Sequence, residues 1–298
     1  SDKIDPYTIS SASMADTRFY PSAYWNVQNE KGFTKGINIS FSKEFDYTSF
    51  GIGTSFTKTS KDNNQEFTAK LQAYFDTWAV IYPIELRSGG SWFEHSGISG
   101  YSPRNSYSGS FSFAQVVNKR MQLMLVAEPT YQTGLLATKY QRVYFTDGSE
   151  KAENLPDQRF KIPFGLRSNF FLGDKIIIRT FYRFYKDNWG LTAHTADLEI
   201  PVKFSPFFSI SPFYRFYTQN GIDYFAPYAQ HSPSETFYSS DYDLSKFNSH
   251  YFGAGFRIVP PKGIFNLEKF NSLELRYGHY LRSTGLTSNQ LSLSLTFK

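Results

Sequence analysis

Hydrophobic and polar positions alternate with a period of two along most of this chain. The last ten residues, 289–298, read NQLSLSLTFK. In an extended strand Leu291, Leu293, Leu295 and Phe297 share one face, and Gln290, Ser292, Ser294 and Thr296 share the other. The beat is plainest where the polar partners are charged. Arg159, Lys161 and Arg167 alternate with Phe160, Ile162, Phe164 and Leu166. Arg179 and Arg183 alternate with Ile176, Ile178, Tyr182 and Phe184, and Asp197, Glu199 and Lys203 with Ala196, Leu198, Ile200 and Val202. Ser209, Ser211 and Arg215 stand opposite Phe208, Ile210, Tyr214 and Phe216; Glu274, Arg276 and Arg282 face away from Leu273, Leu275 and Leu281.

The pattern predicts strands over 17–28, 35–46, 48–59, 66–78, 106–117, 121–133, 158–171, 175–186, 190–204, 207–218, 250–260, 271–283 and 289–297. Their lengths suit tilted membrane strands, which need about 9–11 residues. Tight turns at 61–64, 118–120, 173–174 and 205–206 alternate with long connections at 80–105, 134–157 and 219–249. The expected fold is therefore a single all-β domain over 1–298: a transmembrane antiparallel β-barrel with short periplasmic turns and long extracellular loops. Counting back from the C-terminus puts residues 1–16 on the extracellular side, as an external or poorly ordered segment. Bacterial barrels have even strand numbers. The count is thus about 14, with a first strand upstream or weakly signalled within 1–10, or 12 if 17–28 does not cross. A soluble β-sandwich also alternates, but its strands are shorter and it needs no aromatic excess.

Composition agrees. No stretch approaches the ~20 apolar residues of a spanning helix, and mean hydropathy is −0.42. Aromatics make up 19% of residues, and membrane interfaces are where Tyr and Trp collect. The absence of cysteine removes disulfides, thiolate metal sites and an N-terminal lipidated cysteine. The opening Ser1-Asp2-Lys3, with no apolar run behind it, reads as a processed or trimmed chain. A scattered charge of +5 does not suit nucleic acid.

The segments FYRFYKDNWGLTAHT (181–195), FYRFYTQNGIDYF (213–225) and SSDYDLS (239–245) carry a family resemblance. SSAS (10–13), KEFDYTS (43–49), TGLLATKYQRVYF (133–145) and ENLPDQR (153–159) support it. The chain resembles a domain-of-unknown-function family of predicted outer-membrane β-barrel proteins, common in Bacteroidota. The resemblance implies a barrel and no particular reaction. Members usually extend further at the N-terminus, in keeping with the strand count above.

Candidate chemistry centres on a charged inner wall: Arg159, Lys161, Arg167, Arg179, Arg183, Asp197, Glu199, Lys203 and Arg215. It reads either as a cationic pore lining that favours carboxylated or phosphorylated solutes, or as a salt-bridge ladder filling a closed lumen. The two FYRFY blocks are expected to put Arg183 and Arg215 at similar heights in the lumen, with Phe181, Tyr185, Phe213 and Tyr217 also inward. Tyr182, Phe184, Tyr214 and Phe216 should form an aromatic girdle outside. Asp241 and Asp243, near Asp223 and Glu235, are weak candidates for calcium; pairing between loop acids and the wall arginines suits them better, since the spacing is not that of an EF-hand. There is no GxSxG or HExxH motif. His194 and His279 fall on the lipid-facing phase, where a barrel phospholipase keeps its histidine, but His194 has no evident acid beside it. His95, His231 and His250 lie in or beside loops without ligand spacing. Phe297 ends the alternating last strand as barrel assembly signals do.

Two functions follow. One is a non-enzymatic, cofactor-free scaffold: a subunit of an outer-membrane complex, embedded in lipid bilayer and lipopolysaccharide and holding a lipoprotein or another subunit. The other is a porin-like channel or transporter with an arginine-lined, anion-preferring lumen. The apolar stretch 258–267, long for a periplasmic turn, is the candidate contact for the first.

Overall fold

The computed structural model describes residues 17–87 and 98–297. One large antiparallel sheet dominates. Its strands are β1 (Ser22–Gln28), β2 (Phe33–Lys43), β3 (Tyr47–Thr59), β4 (Gln65–Ile81), β5 (Ile98–Asn118), β6 (Met121–Ala127), β7 (Thr130–Gly134), β10 (Gln158–Leu172), β11 (Ile176–Asp187), β12 (Thr192–Glu199), β13 (Val202–Ser205), β14 (Phe208–Gln219), β15 (Phe247–Ile258), β16 (Phe270–Arg282) and β17 (Thr287–Phe297). A small hairpin, β8 (Arg142–Tyr144) and β9 (Glu150–Ala152), stands apart.

Strands β6 and β7 form one span, and so do β12 and β13. Each is broken at a proline, Pro129 and Pro201, which has no N–H to give the ladder. The proline carbonyls still accept, from Gly109 at 2.9 Å and Ile177 at 3.0 Å, so the sheet runs on across both breaks. Among the described residues thirteen spans result, in sequence order from β1 to β17, matching the thirteen stretches of alternation. The segment around 17–28 does contribute a strand. Because thirteen is odd, β1 and β17 run in the same direction, and no pairing joins them among the described residues. The upstream strand and the segment 1–16 lie outside the described residues.

The predicted faces hold. Phe160, Ile162, Phe164 and Leu166 are each at least 40% exposed, as are Leu275, Leu291 and Leu293 on the last two strands. Residues between them point inward, so the outer surface is a continuous apolar belt. The chain leaving β4 and the connections 135–157 and 220–246 start from the same end of the sheet, and the short turns cluster at the other. Outer-membrane barrels keep their long loops outside the cell.

Several boundaries differ from the pattern: β1 starts at Ser22 rather than 17, β4 ends at Ile81 rather than 78, and β15 starts at Phe247 rather than 250. Strand β5 starts at Ile98 rather than 106, because the polar stretch before Ser106 has no apolar beat and contains Pro103. It is held by pairing with β4, Trp78 opposite Ser102 and Ile81 opposite Ile98. The 135–157 connection is not bare loop, since it carries β8 and β9.

Candidate functional site

The register of β11, β12 and β14 assembles the inner wall. Asp197 stands directly opposite Arg215 and accepts from it twice, at 2.6 and 2.8 Å. Glu199 stands opposite Arg179 and accepts from it at 3.2 Å, while its other oxygen accepts from Arg276 of β16 at 3.1 Å. Arg183 reaches Glu128 at 3.7 Å, beside the Pro129 break. Arg159 chelates Asp187 at 2.8 and 2.5 Å. Lys161 lies opposite Asp187, and Lys203 opposite Ser209 near the turn end. Arg167 rests on the Phe181 ring, 5.4 Å from its centroid. The structure thus brings the predicted residues onto one wall, but the FYRFY arginines are not level. Arg215 aligns with Asp197 and Phe181, whereas Arg183 aligns with Thr195 and Tyr217. The β12–β14 register offsets the two blocks by two residues, which the sequence repeat alone does not reveal.

Below the loop end this wall borders a cavity of about 430 Å³, lined by Arg167, Arg179, Arg215, Arg276, Asp197 and Glu199 among others. A second, of about 330 Å³, shares Arg167 and Asn169 and reaches the turn at 63–66.

The deepest burial in the molecule is in the loops. Val143, Ser239, Phe145, His231, Trp189 and Glu153 are all at most 2% exposed. The connection 135–157, the hairpin 188–191 and the connection 220–246 fold together into a cap. Leu155, Trp189, Leu191 and Ile222 form its apolar centre, seated on the inward Tyr185 and Tyr217. Val143, Phe145 and Tyr238 form a second cluster. Backbone bridges Phe145–His231 and Asn154–Tyr238 join the two long connections.

Three polar nodes hold the cap. Asp187, at the top of β11, accepts from Arg159, from the Tyr185 hydroxyl at 2.9 Å and from the Trp189 and Leu191 amides at 3.0 Å each. Gly190 closes that hairpin with φ +87°, and a Cβ there would strike the Asp223 carboxylate. Glu153 accepts from the Thr138 amide at 2.6 Å and the Ser239 hydroxyl at 2.5 Å. Burial pushes its carboxyl above the ordinary glutamate range despite those bonds. His231 places one ring nitrogen 2.6 Å from Glu235 and the other 2.9 Å from the Ser239 carbonyl. The Ser232 amide and His231 hold Glu235 below its ordinary range.

The loop acids are used structurally. Asp241 accepts from the Asp243 amide at 2.9 Å, and Asp243 pairs with Arg282 on the inner wall of β16. Among the described residues no group of three or more ligating side chains is brought together. A family model described as "Protein of unknown function (DUF3570)" matches residues 5–280. The chain belongs to the DUF3570 family.

No curated protein matches it. Solved outer-membrane barrels share the fold of this DUF3570 chain. The siderophore receptor PirA from Acinetobacter baumannii superposes with a TM-score of 0.58 at 11% identity, over 95% of this chain and 48% of the receptor. CdiB from Acinetobacter baumannii gives 0.51 at 10% identity, over 96% and 52%. The DUF3570 chain spans about half the length of each.

On its outer face, near the loop end, Tyr182 bonds His194 and Tyr214 bonds His250, both at 2.7 Å. His279 bonds Asn289 at 2.8 Å. These histidines sit in an aromatic girdle, packed on Phe184, Phe216 and Phe252. Phe297 packs on Phe270 at 5.0 Å. Several organising residues escaped the sequence reading. Asp187 and Glu153 look like ordinary loop acids, although Asp-Asn-Trp-Gly at 187–190 is a turn signal. Arg276 was visible as inward-facing, but its place beside Glu199 depends on the tertiary fold. A row across the opposite wall, Ser42–Ser49–Asp76–Arg104, follows only from the register.

Proposed function

We propose that this DUF3570 protein is a non-enzymatic barrel subunit of an outer-membrane complex, its lumen largely filled by charged side chains and loops and closed outside by a folded cap. The observation that carries this reading is the burial of Val143, Phe145, Trp189, His231 and Ser239, which makes the loops a packed body rather than a fringe around a pore. Both Arg282 and Gln219 are tied from the wall to that body. A contact face for a lipoprotein or other subunit is available at the turn end. There Phe265 is 85% exposed at φ 56°, a left-handed conformation unfavourable for a bulky residue, with Leu267, Phe204 and Phe207 also exposed.

Single-channel recording in a planar bilayer tests the closed lumen. The wild type should be silent, while a variant with 220–246 shortened should conduct. Steady wild-type current, shifting with Arg183→Ala and Arg215→Ala, would overturn the reading in favour of the anion-preferring channel. That second reading draws on one observation, the excess of arginine over carboxylate along the inner wall.

A further inference from the structure

We propose that the lower lumen holds a binding site for a small organic dianion, entered from the turn end. Arg167, Arg179, Arg215 and Arg276 come from four different strands, and among the described residues lining this cavity the acids are Asp197 and Glu199, a surplus of two positive charges in the lining. A ladder built only for neutrality would not leave that surplus around an open volume. At about 430 Å³ the cavity falls within the ~300–1,000 Å³ usual for small-ligand sites.

The guanidinium groups are held in orientation before any ligand arrives. Arg276 lies over Phe213, 4.0 Å from the ring centroid, and is held by Glu199. Arg179 is fixed by the other oxygen of the same carboxylate. Arg167 sits over the Phe181 ring and belongs to both cavities. A guanidinium offers two N–H groups to a phosphate or carboxylate in a planar, two-point geometry that lysine cannot reproduce. Phe213, Phe181 and Tyr251 add ring surface for an apolar portion. Tyr251 packs on Phe213 at 5.1 Å and lies against Gly278, where any Cβ would displace its ring.

Entry from the turn end follows from the strands. Arg179 is the fourth residue of β11 counted from that end, and Glu199 closes β12 just before the Pro201 break. The cap sits at the opposite end of the same strands.

The test is equilibrium dialysis of the full chain in detergent with phenyl phosphate, against benzyl alcohol as the uncharged counterpart and inorganic phosphate as the ring-free one. Saturable phenyl phosphate binding is expected, weakened by added salt, with inorganic phosphate weaker and benzyl alcohol unbound. Arg167→Gln and Arg276→Gln should each weaken it at least tenfold. Arg167→Gln breaks no carboxylate pair, so it separates loss of binding from loss of fold, which heat-modifiable gel mobility monitors. Lys70→Gln, on the opposite wall, should bind as the wild type does. No saturable binding by the wild type, undiminished binding by Arg167→Gln, or an equal loss in Lys70→Gln would each overturn the proposal.

Discussion

Asp187 shows how much one carboxylate can organise. Its side chain is fully buried and carries an arginine, a phenol and two backbone amides. Asp187→Asn keeps an oxygen for the hairpin amides but leaves Arg159 without its charge partner and turns an NH2 donor toward Arg159 and the Tyr185 hydroxyl. Breaking a buried pair this way costs about 3–5 kcal/mol. The expected result is protease cleavage within 188–191 or 220–246 while the spans stay protected, read by mass spectrometry of the fragments. Glu153 gives a pH dependence of the opposite sense to the usual carboxylate. Its folded pKa lies above the ordinary 4.5. Its stabilisation is therefore complete below 4.5 and is lost as pH rises through the raised value. Asp241, also raised by burial, adds to that slope, whereas Glu235, lowered by Ser232 and His231, opposes it. Hydrogen exchange of cap amides above pH 4.5 should show the slope in the wild type and a shallower one in Glu153→Gln; an unchanged slope would remove Glu153 as its cause.

At the scale of elements, the strands were legible because lipid on one side and a polar lumen on the other impose a two-residue period that charge makes unmistakable. Arg159 through Arg167 is the clearest case, and every predicted span has its counterpart. Leu166→Arg on the outward phase should destabilise the folded barrel by about 2–4 kcal/mol if it lies at mid-membrane. The inward neighbour change Arg167→Gln should cost far less; urea titration in vesicles compares them. The cap was illegible for the converse reason. Its apolar residues, such as Val143, Phe145, Leu155 and Ile222, follow no period and meet only through contacts distant in sequence. The offset between the FYRFY blocks was hidden as well, because register depends on turn geometry rather than on composition.

For the whole molecule, two layers of organisation meet at the strand tops. Below, an antiparallel sheet with its apolar belt outward encloses arginine-rich space; above, a small body of conventional protein interior is built from connecting segments. The tie points are Tyr185, Tyr217, Gln219 and Arg282, all inward-facing and all bonded to or packed against the cap. Barrel and cap should therefore lose structure in separate steps, which limited proteolysis along a urea series would resolve as two transitions.

That packed cap also sets limits on how the outward-facing surface can diversify. Surface proteins under attack from antibodies or phage commonly vary their exposed loops, where changes cost little. Here replacements at Phe145, Trp189 or Ser239 would open the interior of the cap. Tolerated variation is left to outlying positions such as Tyr228 and Tyr242, both at least 50% exposed. An antibody raised against this surface would recognise a shape assembled from two distant stretches of chain, and a linear peptide copied from either stretch would compete poorly for it.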